Sequence, residues 1–219
     1  LMKHLYLNRV FLSLSLSLSI FSFANAQHDL FHQNYDKAAQ FNLDDEELKE
    51  MKDEGKFVLF NENKHRTNLA VKLLDKKTGK DIEVKTPTRL TTYEVAASTK
   101  IEHHRLRYIF IDGNKLNEKQ VNQRVKYIKR LLDQKKRFES VARQYSMDRN
   151  ARRGGDSGWF KKVETHPEFY KAVAENNRYA NEVFEVRVPE NNWHYLVKKT
   201  FSPKPIREVL ILKKAEARR

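Results

Sequence analysis

The sequence predicts an α+β protein: a small antiparallel β-sheet flanked by three to four helices, preceded by a smaller β-rich N-terminal region. Two observations predict it. Apolar residues alternate with period two at Arg105–Ile111, Val183–Val188 and Trp193–Lys199, and recur at helical spacing in between. Turn-forming clusters, such as Asp75-Lys76-Lys77-Thr78-Gly79-Lys80-Asp81, separate short apolar runs before residue 100.

The chain begins with a processing signal. Lys3, His4 and Arg9 precede an uncharged run from Val10 to Phe23, then Ala24-Asn25-Ala26. A basic segment, an apolar segment and an A-x-A site make up a secretory signal peptide over residues 1–26. The run is short of the roughly 20 apolar residues of a membrane span, so no transmembrane span is expected after cleavage. A periplasmic or secreted protein starting at Gln27 follows.

From residue 27 to 100 the reading is a β-rich region without a catalytic pattern. Asp44–Glu54 is a short helix with Asp44, Asp45, Glu46 and Glu47 at its N-terminus and Gly55 at its end. Phe57–Phe60, Leu69–Leu74, Ile82–Lys85 and Leu90–Val95 are candidate strands. His28 and His32 stand four apart, a zinc-ligand spacing without a third ligand. His103-His104 reads as an exposed pair at a strand entrance.

From Ile101 to Thr200 the signals are stronger. Asn117 followed by Gln120 forms a capping box for a long helix with the stripe Val121, Val125, Ile128, Leu131 and Leu132. Phe138–Tyr145 is a second helix, and Pro167–Ala174 a third with proline in its first turn. Val183–Val188 and Trp193–Lys199 close the sheet around Pro189-Glu190-Asn191-Asn192. Gly154, Gly155 and Gly158 are three of the six glycines, crowded into five positions, which calls for positive φ or close backbone approach. Neither a Walker pattern nor a preceding strand makes this loop a phosphate cradle.

Composition narrows the function. Lys and Arg total 43 against 29 Asp and Glu, +14; without residues 1–26 the balance is 41 to 29, +12. The charges are interleaved rather than clustered with aromatics, so the expectation is a solvated surface and no nucleic-acid partner. With no cysteine there is no disulfide, thiolate metal site or cysteine nucleophile.

The helix Phe138-Glu139-Ser140-Val141-Ala142-Arg143-Gln144-Tyr145-Ser146, then Asp148, Gly154-Gly155-Asp156, Gly158-Trp159-Phe160 and Pro167-Glu168-Phe169, resembles the signature of parvulin-type (PpiC/rotamase) peptidyl-prolyl cis/trans isomerases. The resemblance covers about 100 residues and implies a parvulin-like domain over 101–200, with 201–219 as a C-terminal extension. Carried over position by position, it implies catalytic residues Tyr108, Asp148 and His194, and a prolyl pocket at Ser157, Thr165 and Phe169. The family's histidine is replaced by Tyr108, and Ser157 and Thr165 make the pocket smaller and more polar. The implied function is isomerisation of X-Pro bonds in unfolded, proline-containing exported polypeptides, with no cofactor or metal. A catalytically weak parvulin-fold binding module, or an adaptor docking an envelope-complex partner through residues 27–100, is the alternative. Phospho-specific members of that family carry an arginine-rich loop after the first strand; here the loop Asp112-Gly113-Asn114-Lys115 holds one lysine and no arginine, so the resemblance implies no preference for phosphorylated Ser-Pro or Thr-Pro.

Overall fold

The computed structural model describes residues 38–174 and 178–217. The expected signal peptide and the His28/His32 pair lie outside the described residues. Among the described residues, five α-helices accompany seven strands, which form two antiparallel sheets.

The first sheet has four strands in the order β1 (Lys56–Asn61), β7 (Lys204–Ala217), β3 (Arg89–His103), β2 (Asp81–Lys85). Its central pair is long: β3 and β7 run together from Arg89↔Ala217 to His103↔Lys204, with a bulge between Val95 and Ala97. Residues 201–219, expected as an extension, therefore supply a strand paired on both sides. Helix α1 (Asp45–Glu54) is capped by Asp44, whose side chain accepts from Glu46 N–H.

One expected strand is a helix. Residues 68–74 form α2 (Asn68–Leu74), started by Thr67, whose hydroxyl accepts from Ala70 N–H at 3.3 Å. Ala70, Leu73 and Leu74 are its buried face, spaced three and four apart. A short apolar run carries no period of its own, and the cap decided between the two alternatives.

The second sheet has the order β4 (Leu106–Asp112), β6 (Trp193–Lys199), β5 (Val183–Val188). The long helix α3 (Glu118–Asp133) begins with the expected capping box: Asn117 Oδ1 accepts from Gln120 N–H and Gln120 Oε1 from Asn117 N–H, both at 2.9 Å. It packs with α4 (Phe138–Tyr145) on one face of the sheet, over Ile109, Ile111 and Leu196. Helix α5 (Pro167–Ala174) lies on the other face, over Tyr108, Phe110 and Tyr195.

His103 and His104 are buried, not exposed (0% and 5%). His103 sits in a buried polar cluster with Asn61 and Glu208, all three on strands of the first sheet, and His104 Nε2 lies 3.2 Å from the Tyr170 hydroxyl. Asn61, Glu208 and Tyr170 stand far along the chain from them, so the histidines' neighbours in sequence carried no signal of this burial. Lys161 Nζ, 1% exposed, donates to Glu208 Oε2 at 2.5 Å. Burial works against the Glu208 charge, but hydrogen bonds from His103, Lys161 and Asn61 hold its pKa down at about 2.

Candidate active site

Strand β4 is an edge strand of its sheet, and its outward amides would be open without help. The segment 146–157 closes them all. Leu106 N–H donates to Ser157 Oγ (3.1 Å), Tyr108 N–H to the Gly155 carbonyl (2.9 Å), Phe110 N–H to Ser146 Oγ (2.9 Å), and Asp112 N–H to Met147 Sδ (3.4 Å). Two peptide amides return the contact: Met147 N–H to the Phe110 carbonyl, Ser157 N–H to the Leu106 carbonyl.

The glycines make this approach possible. Gly154, Gly155 and Gly158 all have positive φ, as the sequence required. At Gly155 a Cβ would lie 2.3 Å from the Tyr108 carbonyl oxygen, so only hydrogen fits.

Asp148 follows α4 directly and is thereby set beside β4. Its Oδ2 accepts from the Tyr108 hydroxyl and its Oδ1 from the Ser146 hydroxyl, each at 2.7 Å. Ser146 is thus held from both sides, by Phe110 N–H and by the carboxylate. Around the carboxylate stands an aromatic box. The Tyr195 ring is 5.7 Å from Tyr108 and 5.0 Å from Phe169, and Phe169 is 6.2 Å from Tyr108 and 6.5 Å from Phe160.

The electrostatics keep both tyrosines neutral. Burial, reinforced by the Asp148 charge, pushes the Tyr108 hydroxyl well above its ordinary pKa. Burial and the charges of Asp148 and Asp112 do the same for Tyr195. Two buried phenols therefore stay protonated near one carboxylate: Tyr108 donates to it, and Tyr195 lies within reach of its charge.

Of the residues expected from the sequence, Tyr108, Asp148 and Phe169 come together. His194 does not join them. It pairs with Ile111 and Arg187, while Tyr195 pairs with Phe110 and Val186. Alternation along β6 sends His194 to the face away from Tyr108 and Asp148, and Tyr195 into the box. Burial, then the nearby Arg187 charge, lowers the His194 pKa. The phenol beside the carboxylate is Tyr195, which residue type alone did not reveal.

The expected pocket residues divide. Ser157 spends its hydroxyl on the β4 edge, within 3.0 Å of the Leu106 carbonyl and 2.8 Å of that of Gly158. Thr165 is 3% exposed, and neither its Oγ1 nor the neighbouring His166 Nδ1 has a hydrogen-bond partner among the described residues. Phe169 is fully covered (0%), forming a layer beneath Tyr108 and Tyr195 rather than an open floor. Half-buried Met147, Trp193 and Tyr170 pack against this cluster from outside.

Comparison with known proteins shows the family. Residues 69–199 match the family model described as the PPIC-type PPIase domain. The Chaperone SurA of Burkholderia pseudomallei (strain 1710b) is 38% identical over 86 residues, 39% of this chain and 19% of that protein. The Chaperone SurA of Methylobacillus flagellatus is 36% identical over 98 residues, covering 44% and 22%. The chain thus spans about a fifth of the length of these curated relatives. Among solved structures, PrsA from Bacillus subtilis is 26% identical, with a TM-score of 0.37 over 46% of this chain and 35% of that one. A PpiC-type peptidyl-prolyl cis-trans isomerase domain is 25% identical, with the same TM-score, over 46% and 94%. With more than half of its length matched by the family model, the chain belongs to the PPIC-type PPIase family.

Proposed function

We propose that this chain catalyses cis/trans isomerisation of X-Pro bonds in exported polypeptides, through Tyr108, Asp148 and Tyr195. The observation that carries the proposal is the Asp148 carboxylate, held by the Tyr108 and Ser146 hydroxyls at the edge of an aromatic box. It stands in a chain whose residues 69–199 match the isomerase family.

No bond is made or broken in this reaction. The planar amide is stabilised by resonance, which sets a rotation barrier of roughly 18–20 kcal/mol. At the twisted transition state the nitrogen is pyramidal and more basic, and the carbonyl less polar. A catalyst gains rate only from contacts that favour this state over the planar one. The aromatic wall excludes water from the prolyl ring, and the fixed carboxylate with its two phenols supplies a preorganised polar field beside the rotating bond. Both phenols are pushed towards their neutral, hydrogen-bond-donating form by burial and by the nearby acidic charge.

Unfolded, proline-containing polypeptides are the proposed partners. The signal-like residues 1–26 support a location outside the cytoplasm, periplasmic or secreted. Residues 27–100 remain the candidate region for an envelope partner. In the loop after β4 the only lysine, Lys115, lies 3.6 Å from the Asp112 carboxylate, which supports the absence of phosphate preference.

A second reading is a binding module of weak activity. It is favoured by Phe169, which is wholly covered, and by Ser157, whose hydroxyl is used within the fold. Isomer-specific proteolysis of a short Ala-Xaa-Pro-Phe peptide separates the two. Acceleration by the full chain, reduced in Asp148→Ala, supports catalysis. Binding of an unfolded polypeptide without acceleration on any X-Pro peptide gives the second reading.

A further inference from the structure

The positive charge of the chain is not evenly spread. Residues 115–153 hold thirteen Lys and Arg against four Asp and Glu, a balance of +9 within a total of +14. Twelve of the thirteen cations are exposed and Arg124 is half-buried. Two of the four acids face basic or buried partners: Asp148 lies in the site, and Glu139 pairs with Arg107 (3.2 Å) and Arg137 (3.8 Å). The segment is the outer layer of the domain: α3, α4, their connection and the turn after Asp148. Interleaving along the whole chain concealed this concentration.

A groove of about 370 Å³ opens in this basic layer, lined by Leu116, Gln120, Gln123, Arg124, Tyr127 and Tyr145. Its aromatic wall is preset. The Tyr127 and Tyr145 rings meet edge to face at 5.6 Å, and the Arg130 guanidinium lies over Tyr127 at 5.0 Å. Tyr127 is 39% exposed, unusual for a tyrosine lodged between two helices. Amide and guanidinium donors beside two phenols suit an extended polypeptide, whose carbonyls and apolar side chains they match. The surrounding field selects for negative charge.

We infer that the groove between α3 and α4 is a second polypeptide site, which docks acidic, aromatic- or leucine-containing segments of the client flanking its proline. The inference rests on the reading of the chain as a protein that acts on unfolded polypeptides. It adds to that reading a substrate class and a surface. The groove ends at Tyr145, and the next three residues, Ser146, Met147 and Asp148, round the edge of β4 to the carboxylate. A client lying in the groove is thereby delivered to the site along one continuous stretch of chain. Charge raises the rate of encounter, and tethering raises the local concentration of the nearby X-Pro bond.

The test uses the full chain and a fluorescein-labelled, proline-free twelve-residue peptide alternating Glu with Leu and Tyr, followed by anisotropy. Binding is expected, falling about tenfold or more between 50 and 300 mM salt. Arg124→Glu with Arg130→Glu should weaken it at least tenfold, and Tyr127→Ala several-fold. All three sites lie outside the proposed catalytic cluster, so turnover of a short neutral X-Pro peptide should be unchanged, with circular dichroism confirming the fold. Because the probe lacks proline, failure of catalysis leaves this measurement readable. The inference is overturned if the variants bind like wild type, or if a twelve-nucleotide single-stranded DNA binds more tightly than the acidic peptide. It is also overturned if wild type alone self-associates by sedimentation, which would assign the groove to the acidic α1 of a second copy.

Discussion

The Tyr108 hydroxyl donates to Asp148 Oδ2 at 2.7 Å across forty residues of sequence, and the same carboxylate accepts a second hydroxyl from Ser146. Tyr108 belongs to a strand and Asp148 to the loop that seals that strand's edge, so the pair both closes the fold and forms the polar centre of the candidate site. Tyr108→Phe isolates the hydroxyl. The ring contacts to Phe169 and Tyr195 survive, and the cost in stability should be about 1.5–3 kcal/mol, that of one hydrogen bond to a charged group. Isomerisation should fall about tenfold or more in kcat/KM while the protein stays folded. Asp148→Ala should behave alike, with a larger loss of activity than of stability. Activity at wild-type level in both variants would place the chemistry elsewhere.

Tyr195 and His194 make an internal control on adjacent residues. His194→Ala should leave isomerisation within about twofold of wild type, since the imidazole is on the other face of the sheet. Tyr195→Phe removes only the phenol next to Asp148 and should lower turnover. The opposite ranking, measured on the same peptide, would restore His194 to the site.

Gly155→Ala should disrupt the site from outside it. The new methyl would meet the Tyr108 carbonyl at 2.3 Å, at a φ of +77° that side chains seldom adopt. A loss of about 2–3 kcal/mol is expected in urea unfolding, with activity lost alongside because the loop carrying Asp148 must retreat from β4.

Glu208 should govern acid stability. Its pKa in the fold is held down at about 2, against an ordinary 4.5. A depressed carboxylate contributes stability that is fully present above pH 4.5 and lost as the pH falls towards 2. Urea titrations from pH 6 to pH 2 should show this decline in wild type and a shallower one in Glu208→Leu. At neutral pH that substitution leaves Lys161 buried without its carboxylate and should cost about 3–5 kcal/mol; adding Lys161→Met should restore part of it.

Much of the domain around the site was legible because its elements declare themselves locally. The Asn117–Gln120 box, the Pro167 start and the alternation of Val183–Val188 each need only a few neighbours, and each element formed where expected. The candidate site was legible in part: the family resemblance implied Tyr108, Asp148 and Phe169, which the fold brings together, whereas Tyr195 depended on strand register, which the pairing of β4 with β6 sets. A slip of one residue exchanges His194 for Tyr195, and nothing within Trp193-His194-Tyr195 says which faces inward. The buried Glu208 cluster was illegible for a further reason: Asn61, His103, Lys161 and Glu208 are drawn from four separate segments.

The pairing of β3 with β7 also dictates an order of assembly. Arg89 meets Ala217 and His103 meets Lys204, so this ladder joins positions more than a hundred residues apart. An unfolded chain closes so long a loop at considerable entropic cost before the first contact rewards it. If the intervening segment collapses first, β4 and β6 bring Leu106 beside Lys199, and the ends of β3 and β7 arrive already as neighbours. The three-stranded unit that carries the candidate site then works as the template on which the four-stranded sheet zips up. In a pulse-labelling hydrogen-exchange experiment, amides of β4 and β6 should gain protection before those of β3 and β7.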